Sequence, residues 1–316
     1  MAPENSRTAE DLNRLPTEQP HPAAADLDTR SPLEIVTLMN DLDHTVAPAV
    51  RQALPQIAQA VEIIADRLAQ GGRLLYFGAG TSGRLGMLDA VECGPTFNLP
   101  PEVVRAFVAG GPAALIRSVE GAEDDAAAGA AQVAAAGVGE KDVVVGITAS
   151  GRTPYVLAAV QEAKRRGATT VGLACNRNTP LRAVVDLAIE VETGPELISG
   201  STRLKAGTAQ KMVLNMLSTA ALIRRHKVFG NLMVDLQATN LKLRTRAVRL
   251  VQQAAGVDEA AARSALEAGG WSAKTAILML LRGLDAETAR RHLEAQDGSL
   301  RAALAGGGKW ATGKKD

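Results

Sequence analysis

The sequence predicts an α/β protein built on a doubly wound, mainly parallel sheet, with helices ahead of the sheet and a small helical module after it. Three observations predict this class. Short continuous apolar runs alternate with helical segments, and such runs are strands covered on both faces, as in a parallel sheet with crossover helices. Aromatic residues make up only 3% of the 316-residue chain while alanine, leucine and valine abound, so the core is aliphatic. A chain of this length buries a core that needs no disulfide, and its two cysteines, Cys93 and Cys175, fit no metal-type spacing.

In chain order, residues 1–30 carry Pro3, Pro16, Pro20 and Pro22 among polar residues without periodicity, and are expected to form a disordered arm. From Ser31, a helix cap followed by Pro32 at the first helical position, apolar residues recur at helical spacing and predict two helices ending at Gly71 and Gly72. Five strands follow: "RLLYFGAG", "VVRAFVAGG", "DVVVGITAS", "TTVGLAC" and "DLAIEVE". After Gly194 a long helix runs from Thr202 to Lys227, and short amphipathic helices with glycine stops fill 245–305. The expected division is therefore an arm (1–30), a ligand-binding α/β domain (31–244), a helical module (245–305) and a disordered tail (306–316).

Charge narrows the function. With 35 basic against 34 acidic side chains and no basic block interleaved with aromatics, nucleic acid is not an expected partner. There is no signal-peptide pattern, and no apolar run is long enough to span a bilayer, so no membrane association is expected and the compartment is cytoplasmic.

Two strand-to-helix turns share one chemistry. "GAGTSGRLG" (78–86) and "TASGRTPYV" (148–156) each follow a buried strand, pack glycines and hydroxyl residues into the turn, and open a helix. Unpaired N–H groups and the helix dipole favour an anion there, and serine or threonine adds donors without blocking its approach. Both turns fall at the carboxyl ends of strands, where open α/β sheets bind ligands, and a phosphate is the natural occupant. Gly78, Gly80 and Gly83 also spell the dinucleotide pattern G-x-G-x-x-G, but "VVRAFVAGG" ends in glycines where a ribose-binding acid belongs. Packing alone accounts for one such turn better than for two.

A third stretch, "GPELISGSTRLKAGTAQK" (194–211), sets Arg203 and Lys205 at the start of a helix, where cations are poorly placed unless an anion is near. A solvated first turn is the alternative. Acids cluster in two places: Asp89 and Glu92 in "LDAVECGPTF", a segment expected to stay close to the first turn, and Glu120, Glu123, Asp124 and Asp125 in "SVEGAEDD". Four acids so close raise one another's pKa, which suits a proton carrier, but a solvated helix start is equally acidic and residue type does not choose among them.

Taken in order, "GAGTSGRLG", "DAVEC", "VEGAEDD", "ASGRTPYV", "GSTRLKAGTAQK", "NMLSTA" and "KVFGNLMVDLQATN" resemble the N-acetylmuramic acid 6-phosphate etherases, bacterial enzymes of the sugar isomerase (SIS) fold, over residues 31–305. The resemblance implies removal of D-lactate from N-acetylmuramic acid 6-phosphate with water in peptidoglycan recycling, without metal or redox cofactor. It puts the two catalytic glutamates on Glu92, as acid toward the departing lactate oxygen, and Glu123, as base toward a carbon-bound proton. Substrate contacts are implied at Gly80, Thr81, Ser82 and Gly83, at Ser150, Gly151, Arg152 and Thr153, and at Glu196, Ser201, Thr202 and Lys205. Where the family usually reads "ECPPT", this chain has Gly94, which is expected to loosen the segment after Glu92. Of the four histidines, only His226 stands beside a motif, where it could help open the sugar ring. SIS proteins also include sugar-phosphate sensors and isomerases, the alternatives to an etherase. They commonly pair, and the long helix from Thr202 offers a face for a homodimer.

Overall fold

The computed structural model describes residues 14–305; the rest of the expected arm and the whole of the expected tail lie outside the described residues. The described residues divide into two compact units, 14–92 with 100–221, and 93–99 with 222–305.

The first unit holds the sheet. β1 (Leu74–Gly78), β2 (Val104–Val108), β3 (Val143–Ile147), β4 (Thr169–Ala174) and β5 (Leu187–Glu190) lie side by side in the order β2-β1-β3-β4-β5, every pair parallel. β1 and β3 are buried along their whole length, which is why their sequences are unbroken apolar runs. β2 and β5 are edge strands and only partly buried, so full coverage holds for the centre of the sheet and not for its margins.

Ahead of the sheet the expected pair of helices is three: α1 (Pro32–Asp43), α2 (Val46–Gln52) and α3 (Leu54–Ala69). The extra break falls where Pro55 opens α3, since proline is tolerated in a first turn and not further in. Ser31 and Glu34 form a reciprocal capping box on α1, as the cap signal predicts. The crossovers are α4 (Gly80–Phe97), α5 (Ala126–Ala135), α6 (Pro154–Arg165) and α7 (Pro180–Val184), followed by α8 (Lys205–Arg224). α4 runs through Glu92 and Gly94 and carries Pro95 inside its final turn, so the segment after Glu92 stays helical.

The arm expected at 14–30 is instead three 3-10 turns, Pro16–Glu18, Pro22–Ala24 and Leu27–Thr29. Two of the prolines that suggested disorder, Pro16 and Pro22, open two of these turns, where proline's fixed φ is an advantage.

The second unit contains α9 (Leu241–Ala255), α10 (Glu259–Ala268), α11 (Ala273–Arg282), α12 (Ala286–Ala295) and α13 (Leu300–Ala305). Side chains of Asn240, Asp258, Ser272 and Asp285 cap the first four of these, and Gly256 and Gly283 close α9 and α11 in the left-handed conformation. Val234 and Leu236 belong to the same core as Val251, Leu266 and Ile277, which draws residues 222–244 into this unit ahead of the module expected from 245. Among the described residues no helix is long and apolar enough to cross a membrane.

One ion pair joins the amino ends of β1 and β3. The Arg73 guanidinium binds both oxygens of the buried Asp142, which also accepts the N–H groups of Arg73 and Gly139. Burial alone would raise the Asp142 pKa, but these donors outweigh it and hold the carboxyl below the usual range. Its stabilising contribution is therefore complete above the ordinary value of 3.8 and is lost as pH falls through the lower folded value. Asp142→Asn is expected to cost about 3 kcal/mol at pH 7, because it strands the Arg73 charge. Urea denaturation measures this, and the gap from wild type should narrow in acid below the ordinary carboxylate range.

Candidate active site at the switch point of the sheet

Strand order reverses between β1 and β3: the chain leaves β1 toward one edge, to β2, and then returns past it to β3. The connections after β1 and β3 diverge, and the crevice they leave at the carboxyl ends of the strands is the preferred ligand site of an open α/β sheet. A cleft of about 430 Å³ lies there, walled by Gly80, Thr81 and Ser82 after β1, by Ser150, Arg152, Thr153 and Pro154 after β3, and by Glu123, Asp124, Thr202 and Glu18.

The first turn is a close approach of backbone to backbone. A Cβ on Gly83 would come within 2.7 Å of the Gly78 carbonyl oxygen and 2.6 Å of the Val108 side chain. That carbonyl is held in place by the Ala109 N–H, so it has no room to retreat. Glycine at 83 therefore lets α4 start directly against the end of β1, so that Gly80, Thr81 and Ser82 of its first turn line the cleft, where a helix start favours an anion. Gly83 itself lies beneath the wall. Ser82 is buried with its hydroxyl donated to Gln210 of α8 at 2.9 Å, so its side chain braces the turn.

The second turn works differently. Gly151 has φ +70° and a Cβ there would press against Thr179, so this glycine too serves the turn from behind. The Arg152 N–H is taken by Ser150 Oγ, Pro154 has none, and the Tyr155 N–H donates to the Glu123 carbonyl at 3.0 Å. The free amides expected at this turn are thus partly spent, and what it presents is hydroxyl groups: Thr148, Ser150 and Thr153 lie within hydrogen-bonding distance in a row. The Tyr155 bond has a second effect. It pins the acidic loop over this turn and brings Glu123 to the cleft.

The four clustered acids separate in role. Asp125 caps α5 through the Ala128 N–H, Glu123 and Asp124 face the cleft, and Glu120 lines a neighbouring cavity of about 340 Å³ in which Glu123 also takes part. Asp89 is buried, accepting hydrogen bonds from Tyr76, Asn215 and Ser218, and burial pushes its carboxyl up despite those donors. It ties β1, α4 and α8 together and does not reach the cleft wall.

Several expected site residues stand elsewhere. Glu196 is fully buried, and its two oxygens accept the N–H groups of Lys205 and Ala206 at 2.9 Å each. The anion anticipated at the start of this helix is thus the protein's own carboxylate, whose pKa burial raises. Lys205 is buried too, donating to the Thr193 carbonyl at 2.8 Å, with its pKa lowered by burial against the pull of Glu196 and Asp43. Both line a separate small cavity with Asp43 and not the cleft. Of the Ser201–Lys205 turn only Thr202 joins the cleft wall.

Glu92 is exposed on α4 and absent from the cleft wall; twelve residues beyond Gly80, it lies about 18 Å further along the helix axis. His226, left-handed at φ 62°, belongs to the second unit, and no histidine is among the residues of the cleft wall. Cys175 is buried and its thiol pushed up to about 12 by burial and then Glu196, so it is no nucleophile. Sequence reasoning missed Glu18, which stands in the proline-punctuated stretch expected to be disordered and carries no local signal of its own.

A five-stranded parallel sheet of this order with a cleft at its switch point is the architecture of a SIS domain, and residues 125–220 match the SIS domain family. Residues 56–164 match the N-terminal SIS domain of glucokinase regulatory protein and residues 230–268 its C-terminal lid domain. The chain is 54% identical over 295 residues to an N-acetylmuramic acid 6-phosphate etherase of Streptomyces avermitilis, covering 93% of this chain and 95% of that one. It is 53% identical to N-acetylmuramic acid 6-phosphate etherase 1 of Vibrio cholerae (93% and 98% covered), and 51% identical to the etherase of Mycolicibacterium smegmatis (94% and 100%). The chain belongs to the N-acetylmuramic acid 6-phosphate etherase family.

The first turn supplies a direct test of the geometry. Gly83→Ala is expected to cost about 1–3 kcal/mol through overpacking against the Gly78 carbonyl, read as a lower urea midpoint. An unchanged midpoint would show that α4 can start further from β1 than the structure has it.

Proposed function

We propose that this chain cleaves the lactyl ether of N-acetylmuramic acid 6-phosphate, giving N-acetylglucosamine 6-phosphate and D-lactate. The observation that carries the reading is the presence, in one cleft, of an anion-binding helix start, a row of hydroxyls and an acid, Glu123, fixed over them. Membership of the etherase family supports it. The phosphate is gripped by Gly80, Thr81 and Ser82 with help from Ser150, Arg152 and Thr153, and the sugar extends toward Glu123 and Thr202.

An ether offers no acyl carbon to attack, so elimination is the accessible route. With the ring open, the hydrogen on the carbon next to the aldehyde is acidic. The Glu123 carboxylate removes it, its electron pair forms a carbon–carbon double bond, and the neighbouring carbon–oxygen bond breaks as a proton is delivered to the lactate oxygen. Water then adds across the double bond, its hydroxyl taking the position lactate left. The two matches to domains of a regulatory protein favour a second reading, sugar-phosphate binding without turnover. Lactate release from N-acetylmuramic acid 6-phosphate decides between them.

Glu92 serves as the proton donor from a second copy of the chain. In its own subunit it sits too far along α4, yet it is exposed beside Leu88 and Val91, both more than half exposed, while Leu33 and Val36 of α1 are likewise uncovered. Such residues are covered when two copies pair. The α8 face expected to do this is already spent, since Val213, Leu214, Leu217 and Ala221 are buried in the fold. A homodimer with composite sites in the cytoplasm completes the reading.

Glu123→Gln is expected to abolish lactate release, by at least 1000-fold, while sugar-phosphate binding persists. Coexpressing Glu92→Gln and Glu123→Gln chains, each inactive alone, should restore up to about one quarter of wild-type activity, because each mixed dimer keeps one intact composite site. Failure of the mixture to recover any activity would put Glu92 back in its own subunit's chemistry.

A further inference from the structure

We propose that Glu18 is a substrate-binding residue, presented to the cleft by a strap formed from residues 15–19, and that its carboxylate accepts hydrogen bonds from hydroxyl or amide N–H groups on the sugar part of the ligand. The proposal rests on the reading of the cleft as a sugar-phosphate site.

The strap is built, not draped. Thr17 is fully buried; its hydroxyl accepts from Asn176 Nδ2 at 3.0 Å and its carbonyl from the Gly200 N–H at 3.2 Å. Asn176 also donates to the Ala149 carbonyl of the second turn, so the strap and that turn share one anchor. Ser199 Oγ donates to the Glu18 carbonyl at 2.7 Å, and Leu15 is buried at the other end. These contacts fix the backbone of Glu18 on both sides and leave its side chain facing the cleft beside Thr202.

The chain also makes room for the carboxylate itself. A Cβ on Gly200 would come within 2.7 Å of Glu18 Oε2, and Gly200 has φ +73°, a conformation that side chains resist. Among the described residues the carboxylate makes no hydrogen bond or ion pair, yet it is half-buried in a polar cleft. A carboxylate is an acceptor only and repels a phosphate, so the complementary ligand group is a neutral donor. On an amino-sugar phosphate those donors are the hydroxyls and the amide N–H. Glu18 thus selects the sugar while the turns select its phosphate.

The test compares two probes, N-acetylglucosamine 6-phosphate and inorganic phosphate, by calorimetry on wild type, Glu18→Ala and Glu18→Gln. The alanine variant should bind the amino-sugar phosphate about tenfold more weakly or worse, and the glutamine variant less so, because it keeps one acceptor. Inorganic phosphate should bind all three alike. Unchanged affinity for the amino-sugar phosphate overturns the proposal, and so does an equal loss for both probes in the glutamine variant, which would mark the strap as structural only. Wild-type protein that binds neither probe would overturn the assignment of the cleft and this proposal with it.

Discussion

The contact between the end of β1 and the start of α4 is the constraint on which the rest of the molecule depends. Because Gly78 and Gly83 lack side chains, a helix N-terminus is driven against the sheet at the point where strand order reverses. Everything in the cleft is placed relative to that helix start. Ser82 braces it against α8, and Asp89, two turns further on, fastens the same helix to β1 and α8 through three hydrogen bonds. These bonds are buried, where breaking them is costly, so they favour one position for α4 over a range of them.

The two turns that share a sequence theme divide the work. The first offers main-chain N–H groups and a dipole. The second offers hydroxyls, having spent an amide on the carbonyl of Glu123. That expenditure couples the acidic loop to the second turn, so that in the proposed reading a phosphate held between the turns would lie at a set distance from Glu123. For the proposed elimination, binding energy from a phosphate remote from the reacting carbons would then serve to position them.

Strands and hydroxyl turns were legible in the sequence because their signals are local. Runs such as the one from Leu74 to Gly78 have no reading other than a buried strand, and the small residues after them state their own purpose. The third stretch misled for an instructive reason: Lys205 at a helix start does call for an anion, but the anion is Glu196, nine residues earlier in the same quotation. Residues 14–30 misled because prolines and polar side chains resemble disorder when their partners are invisible. Thr17 is bonded to Asn176, 159 residues away, and no local pattern announces that. Glu92 was expected to stay close to the first turn and took its role from the resemblance, but the unbroken length of α4 carries it away from its own cleft.

The central claim is that the switch-point turns hold the phosphate of the sugar. A crystal structure of the protein with N-acetylglucosamine 6-phosphate tests it most directly. The account predicts phosphate oxygens within hydrogen-bonding distance of the Thr81 and Ser82 N–H groups and of the Ser150 or Thr153 hydroxyl, with the sugar directed toward Glu123. A phosphate found at the start of α8, or anywhere outside the cleft between the two turns, would contradict it.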